Sequence, residues 1–124
     1  MAQQNSADKD SSGPDNALQA ISNGLVQLMA KSYGRGPTKA KTFILGDGYV
    51  VCVMHDVFTT AELTLIEAGE KDLVRQTRVA YQTALAEEFK TVVSDALGRR
   101  VRGYQSQIVF EPAASCEFFI LEEG

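Results

Sequence analysis

The sequence predicts an α+β domain in which helices pack on one face of a mostly antiparallel sheet of about four strands, in the order α-β-β-α-α-β-β. Three observations carry that expectation. Two pairs of short runs rich in β-branched and aromatic residues are each divided by a turn-forming segment. Apolar residues recur at helical spacing before the first pair and between the two pairs. A chain of 124 residues has room for one core and no second core beside it.

Residues 1–14 hold Ser, Asn, Gln, Asp and Gly with almost no large apolar group, which reads as a disordered polar tail before a single domain over residues 15–124. From Asp15, a candidate N-cap, the residues Leu18, Ile21, Leu25, Leu28, Met29 and Ser32 mark one stripe of a helix that ends near Tyr33. Gly34-Arg35-Gly36-Pro37 stops it, because glycine accepts a left-handed C-terminal conformation and proline lacks a backbone donor. Thr42–Leu45 and Tyr49–Met54 then read as antiparallel strands around the tight turn Gly46-Asp47-Gly48. Thr59-x-x-Glu62 has the form of a capping box and opens a short helix that ends by Gly69.

A longer stripe follows: Leu73, Thr77, Ala80, Tyr81, Ala84, Leu85, Phe89, Val92, Val93, Ala96 and Leu97, closed by Gly98. Unbroken from Glu70 to Leu97, this helix is on the order of 42 Å long, against a radius of gyration of roughly 14 Å for a domain of this size. Part of its apolar stripe is therefore expected to overhang and to be covered by a second subunit, which predicts a homodimer. Residues 100–110 and 115–121 alternate well enough for a second hairpin across Glu111-Pro112-Ala113-Ala114.

Twelve Lys and Arg against sixteen Asp and Glu give a net charge of −4, the wrong sign for a surface that coats nucleic acid or anionic lipid as a whole. No apolar run approaches the roughly 20 residues that a membrane-spanning helix needs. The polar, partly acidic start lacks the features of a secretory signal, so a cytoplasmic location is expected. Cys52 and Cys116 sit in strand-like runs outside any Cys-x-x-Cys pair and read as reduced, buried thiols.

No catalytic constellation stands out. His55 precedes Asp56, but neighbours on a strand point to opposite faces and do not form an oriented base. One His and two separated Cys make no short-spaced ligand pair, so neither a metal nor a cofactor is expected. Glu87-Glu88 diverge by a helical step and read as a solvated patch.

Charge is segregated more sharply than any motif is formed. Lys31, Arg35, Lys39 and Lys41 place four positive charges in eleven residues without an acid among them, and Arg99, Arg100 and Arg102 add three more. Both groups lie where a helix passes into a strand, where free backbone groups can help to hold an anion, and their convergence is an expectation. Together with Tyr33, Gly34, Gly36 and Pro37 they form the candidate surface for a small anion or a protein partner. The Gly-Arg-Gly-Pro turn lacks the endings of nucleotide-binding loops and follows a helix instead of opening one. Only Tyr33 and Tyr104 stand near the cations for base stacking, so nucleic acid is not an expected partner.

Tyr33-Gly34-Arg35-Gly36-Pro37 before the Phe43-Ile44 strand, then Val57-Phe58-Thr59-Thr60-Ala61-Glu62 with Leu65, Gly69 and Leu73-Val74-Arg75-x-x-Arg78, resembles the MpsC-like family of small bacterial proteins. The resemblance runs from about Ala17 to Leu121, with Thr60 where proline is common in the family. Members are similar to the third component of a membrane-potential-generating system, whose membrane partners look like an inorganic-carbon uptake pair related to cation-translocating respiratory subunits. The resemblance implies a cytoplasmic accessory or regulatory module, peripheral to the inner membrane through membrane transport proteins, with Arg35, Gly36 and Pro37 as signature positions and no catalytic role.

The leading expectation is thus a non-enzymatic dimer whose basic loop meets an acidic partner or a small anion. The alternative is a small enzyme with a pocket near His55.

Overall fold

The structure, a computed structural model, describes residues 14–123, so the expected tail lies outside the described residues except for Pro14. The chain forms α1 (Pro14–Tyr33), β1 (Lys39–Leu45), β2 (Tyr49–His55), α2 (Thr60–Glu67), α3 (Lys71–Leu97), β3 (Val101–Val109) and β4 (Ala114–Leu121). This is the expected α+β order. The four strands pair antiparallel in the order β1-β2-β4-β3, so the last strand enters the sheet beside β2 and leaves β1 and β3 as edges.

The ends of the elements follow local chemistry. α1 starts at Pro14, and Asp15 is part of its first turn instead of preceding it as a cap. Proline suits that position because the amide it lacks has no partner inside the helix. Thr59 accepts from the Glu62 amide at 3.1 Å while the Glu62 carboxylate accepts from the Thr59 amide at 2.9 Å, completing the capping box of α2. Gly98, with φ of 66°, ends α3 in the left-handed region.

β1 begins at Lys39, three residues before the expected Thr42, which moves Lys39 and Lys41 from a loop onto an edge strand. Lysines are common on edges because they discourage pairing with a further chain. β3 begins at Val101 instead of Arg100, and its ladder skips Arg102 between Val101↔Leu121 and Gly103↔Ile120.

Alternation along the central strands sorts the two faces of the sheet. Val50, Cys52 and Met54 of β2 and Ser115, Glu117, Phe119 and Leu121 of β4 are buried. They face Ile21, Leu25 and Met29 of α1 and Val74, Phe89 and Val93 of α3, with which the apolar members form the core. Val51, Val53, Phe118 and Ile120 project to the opposite face.

The stripe expected on α3 holds over its C-terminal half and fails over its N-terminal half. Phe89 and Val93 are buried, with Leu85, Val92, Ala96 and Leu97 packed against the core. Towards the N-terminus, however, Val74 and Arg78 point inward, while Leu73, Thr77, Ala80 and Tyr81 are exposed. The helix turns its Val74-Arg78 face inward because Arg78 has a buried carboxylate to meet there. α1 and α3 approach closely at Gly24, where a Cβ atom would come within 2.7 Å of a Val92 methyl.

Candidate functional site

The bend after α1 is built to fasten, not only to turn. Gly34 takes φ of 85°, in the left-handed region, and its amide returns to the Ala30 carbonyl at 2.9 Å. Gly36 passes close to Val26 and Ala30, where a Cβ would lie 3.4 Å from each. Between them Arg35 donates to the Asp56 carbonyl at 3.0 Å, the Phe58 carbonyl at 2.6 Å and the Asp56 carboxylate at 3.0 Å. Asp56 itself has φ of 60°, in the left-handed region that aspartate tolerates better than most non-glycine residues, and Arg35 grips it twice. Arg35, one of the residues of the expected contact surface, thus ties the bend to the segment between β2 and α2 while its side chain stays partly exposed.

A second arginine completes the corner from within. Arg78 donates to both Glu62 oxygens, at 2.6 and 2.7 Å, and to the Val57 carbonyl at 2.6 Å. Its guanidinium also lies 4.0 Å from the ring centre of Tyr33. Burial pushes the Glu62 carboxyl upward, but the bonds from Arg78 and Thr59 outweigh this and leave it below its usual value. Burial pushes the Tyr33 hydroxyl up to about 12, against the lowering pull of Arg78. Tyr33 belongs to this corner as packing, with its ring also 4.8 Å from that of Tyr81.

The remaining cations separate into two ends. β1 pairs Lys39 with His55, so Lys31, Arg35 and Lys39 lie towards one end of the sheet, with Thr38 donating to the His55 carbonyl there. Arg99 donates to the carbonyls of Asp47, in the β1–β2 turn, and of Glu122, both at 2.6 Å, at the other end. A seven-residue strand separates the two ends by roughly 20 Å, so the clusters do not converge. Arg100 is 3.7 Å from Glu122, and Arg102 lines an open cleft of about 490 Å³ that Asp47 and Glu123 also line. That cleft is mixed in sign. Among the described residues Lys31, Lys39 and Lys41 are exposed and form no ion pair.

The residues that meet at this corner come from Tyr33-Gly34-Arg35-Gly36-Pro37, from Val57 to Glu62 and from Arg78 on α3. A family model described as "Na+-translocating membrane potential-generating system (MpsC)" matches residues 15–123. The chain belongs to the MpsC family. No curated protein and no solved structure matches it.

In this MpsC chain Arg78 and Glu62 are buried as a pair, and Glu117 is buried beside Tyr104 and Ser106. His55 is exposed at the end of β2, and its neighbour Asp56 gives its carboxylate to Arg35. Among the described residues no three His, Cys, Asp or Glu side chains are grouped to hold a metal ion. Cys52 is buried and Cys116 half-buried, both unpaired, and burial pushes the Cys52 thiol up to about 11, away from nucleophilic use.

Two buried groups escaped the sequence reading of sites. Arg78 stood within the helical pattern but off the stripe assigned to the core; stepping back from Phe89 through Leu85, Gln82 and Arg78 to Val74 at spacings of three and four finds the correct face. Glu117 sits in an apolar-looking strand, where an alternation of inward residues Ser115, Glu117 and Phe119 was its signal. Tyr104 donates to it at 2.6 Å and Ser106 at 2.9 Å. Burial raises the Glu117 carboxyl, and these donors and the nearby Arg78 charge only partly oppose it.

Proposed function

We propose that this protein is a non-enzymatic accessory component of a Na+-translocating membrane system, acting in the cytoplasm by contact with a protein partner. Membership of the MpsC family supplies the system. The observation that carries the mode of action is the contrast between the two kinds of cation at the bend. Arg35 and Arg78 are consumed in holding the corner together, whereas Lys31, Lys39 and Lys41 are exposed and, among the described residues, form no ion pair. Compact ammonium groups on flexible stems steer and orient an acidic protein surface more readily than they cage one small anion. An acidic rim on a membrane subunit, including one of an inorganic-carbon uptake pair, fits this chemistry.

No helix of the described residues is long and apolar enough to cross a membrane, so attachment to such a system runs through contact in this reading. The test is a double variant, Lys31→Glu with Lys39→Glu, expressed in a cell that depends on the system. Loss of co-purification with the membrane subunits and of Na+-dependent membrane potential, with an unchanged melting temperature, is the expected result. Full retention of both by the folded double variant overturns the proposal.

A further inference from the structure

The sheet carries its helices on one side only, and the other side is apolar. Phe43 and Leu45 of β1, Tyr49 and Val51 of β2, and Phe118 and Ile120 of β4 share that outer face by the register of the strands. Phe43, Leu45 and Tyr49 are each more than two-fifths exposed, at 42%, 52% and 47%. The rings of Tyr49 and Phe118 stack at 6.0 Å between centres, giving the middle of the face a flat, ordered apolar surface. A sheet face of this composition is stable in water only at the cost of hydrating contiguous apolar area, which marks it as a contact surface.

We infer that this face is covered by a second copy of the chain, two sheets packing across a two-fold axis. Size is the first argument. Four strands at about 4.8 Å spacing and about 3.3 Å per residue make a face roughly 20 Å by 25 Å, whose side-chain relief brings the coverable surface towards the roughly 800 Å² per partner of a standard stable interface. Charge is the second. The strands present no carboxylate on this face, and the cations of its ladder, Lys39 and Lys41, lie along edge strand β1, while Gln105 and Gln107 occupy the same face of the opposite edge strand, β3. A two-fold axis along the strands lays β1 of one copy over β3 of the other. Lysines then lie beside neutral amides at the rim, with their ammonium groups still open to solvent, and apolar side chains meet in the centre, as an isologous interface requires. By composition residues 1–13, with one large apolar side chain, Met1, offer little apolar surface to match such a face.

The interface differs from the one expected from the overhang of α3, where Leu73, Val79 and Tyr81 are the exposed apolar groups. The two can be told apart. Sedimentation equilibrium of the full chain is expected to give twice the monomer mass of 13.5 kDa. Val51→Glu and Phe118→Glu are expected to give monomers with unchanged circular dichroism, and Leu73→Glu to leave the dimer intact. Phe43→Glu, on the exposed edge strand, repeats the test should a central-strand variant misfold. Cys116 projects from the same face, and its reaction with a thiol reagent is expected to slow several-fold as wild-type concentration rises, and to stay fast in Val51→Glu. A wild-type monomer at about 100 µM overturns the inference, whether it stays free or floats with anionic vesicles or binds an acidic protein. A dimer that survives Phe43→Glu, Val51→Glu and Phe118→Glu, or one lost in Leu73→Glu alone, overturns it equally.

Discussion

Arg78 of α3 holds both carboxylate oxygens of Glu62 on α2, at 2.6 and 2.7 Å, with 1% of the arginine surface left to solvent. The pair is bidentate, the geometry in which arginine binds a carboxylate best. It joins α2, whose Leu65 and Ile66 pack only partly buried against the core, to the core helix α3, and it orients Glu62 so that one oxygen also closes the capping box of α2.

Removing one partner leaves the other as an unpaired buried charge. Arg78→Ala is therefore expected to cost about 3–5 kcal/mol, while the joint change Arg78→Met with Glu62→Leu recovers most of that loss because neither charge then remains to be solvated. Urea unfolding of the single and double variants measures both. Equal destabilisation by the single and the joint change would show that shape, not charge pairing, holds the corner.

Arg35 acts on the other side of the same corner, partly exposed to solvent. Arg35→Ala is expected to cost about 1–2 kcal/mol, since two backbone carbonyls and one carboxylate lose a donor while water replaces part of the interaction. Arg35→Lys recovers little of it, because an ammonium group has no fork with which to span Asp56 and Phe58. Thermal melting compares the two with Lys39→Glu, for which no change beyond about 0.5 kcal/mol is expected at an exposed edge position. A Lys39→Glu variant as unstable as Arg35→Ala would contradict the division between structural and surface cations.

These two arginines show where the sequence was legible and where it was not. Periodicity, turn residues and the capping box were enough for every element and for its order, because each of those signals is local: Thr59 and Glu62 are three residues apart, and Gly46-Asp47-Gly48 is a turn on its own terms. The pairing of β4 with β2 and the meeting of Arg78 with Glu62 are set by tertiary packing, and a polar residue inside a core has no signature in a hydropathy pattern. Arg35 is visible in the sequence as a charge, but its bonds to Asp56 and Phe58 are not, since charge density along a chain does not show which charges the fold pairs. The separation of the two cationic groups follows from sheet register, which strand patterns alone leave open.

The close packing of α1 on α3 at Gly24 gives a third prediction. At Gly24 a methyl group would lie 2.7 Å from a Val92 side-chain carbon, and valine in a helix has almost no alternative rotamer. Gly24→Ala is expected to cost about 1–3 kcal/mol despite the better helix propensity of alanine, and Val92→Ala in the same chain is expected to relieve the clash. A double-mutant cycle in urea should therefore show a favourable coupling of more than about 1 kcal/mol between the two substitutions. Additive effects would mean that the helices move apart freely at this crossing.

Glu117 supplies the pH dependence. Its carboxyl is raised above 4.5, chiefly by burial, so the folded chain keeps a proton that the unfolded chain releases. The sign follows: this group favours folding most below pH 4.5 and progressively less as pH rises from that value towards the raised native one, after which its effect is constant. Glu62 has the opposite sign, with a lowered carboxyl whose contribution is present above 4.5 and lost as pH falls through the native value. Glu117→Gln keeps a side chain that can accept from Tyr104 and removes the titration. Wild type is therefore expected to lose melting temperature relative to Glu117→Gln as pH increases from about 4 to about 7, while both lose stability together in stronger acid as Glu62 is protonated. Thermal melts across that range, run on both chains in the same buffers, test it. Curves that stay parallel above pH 4.5 would mean that Glu117 ionises in the folded core as readily as in the unfolded chain.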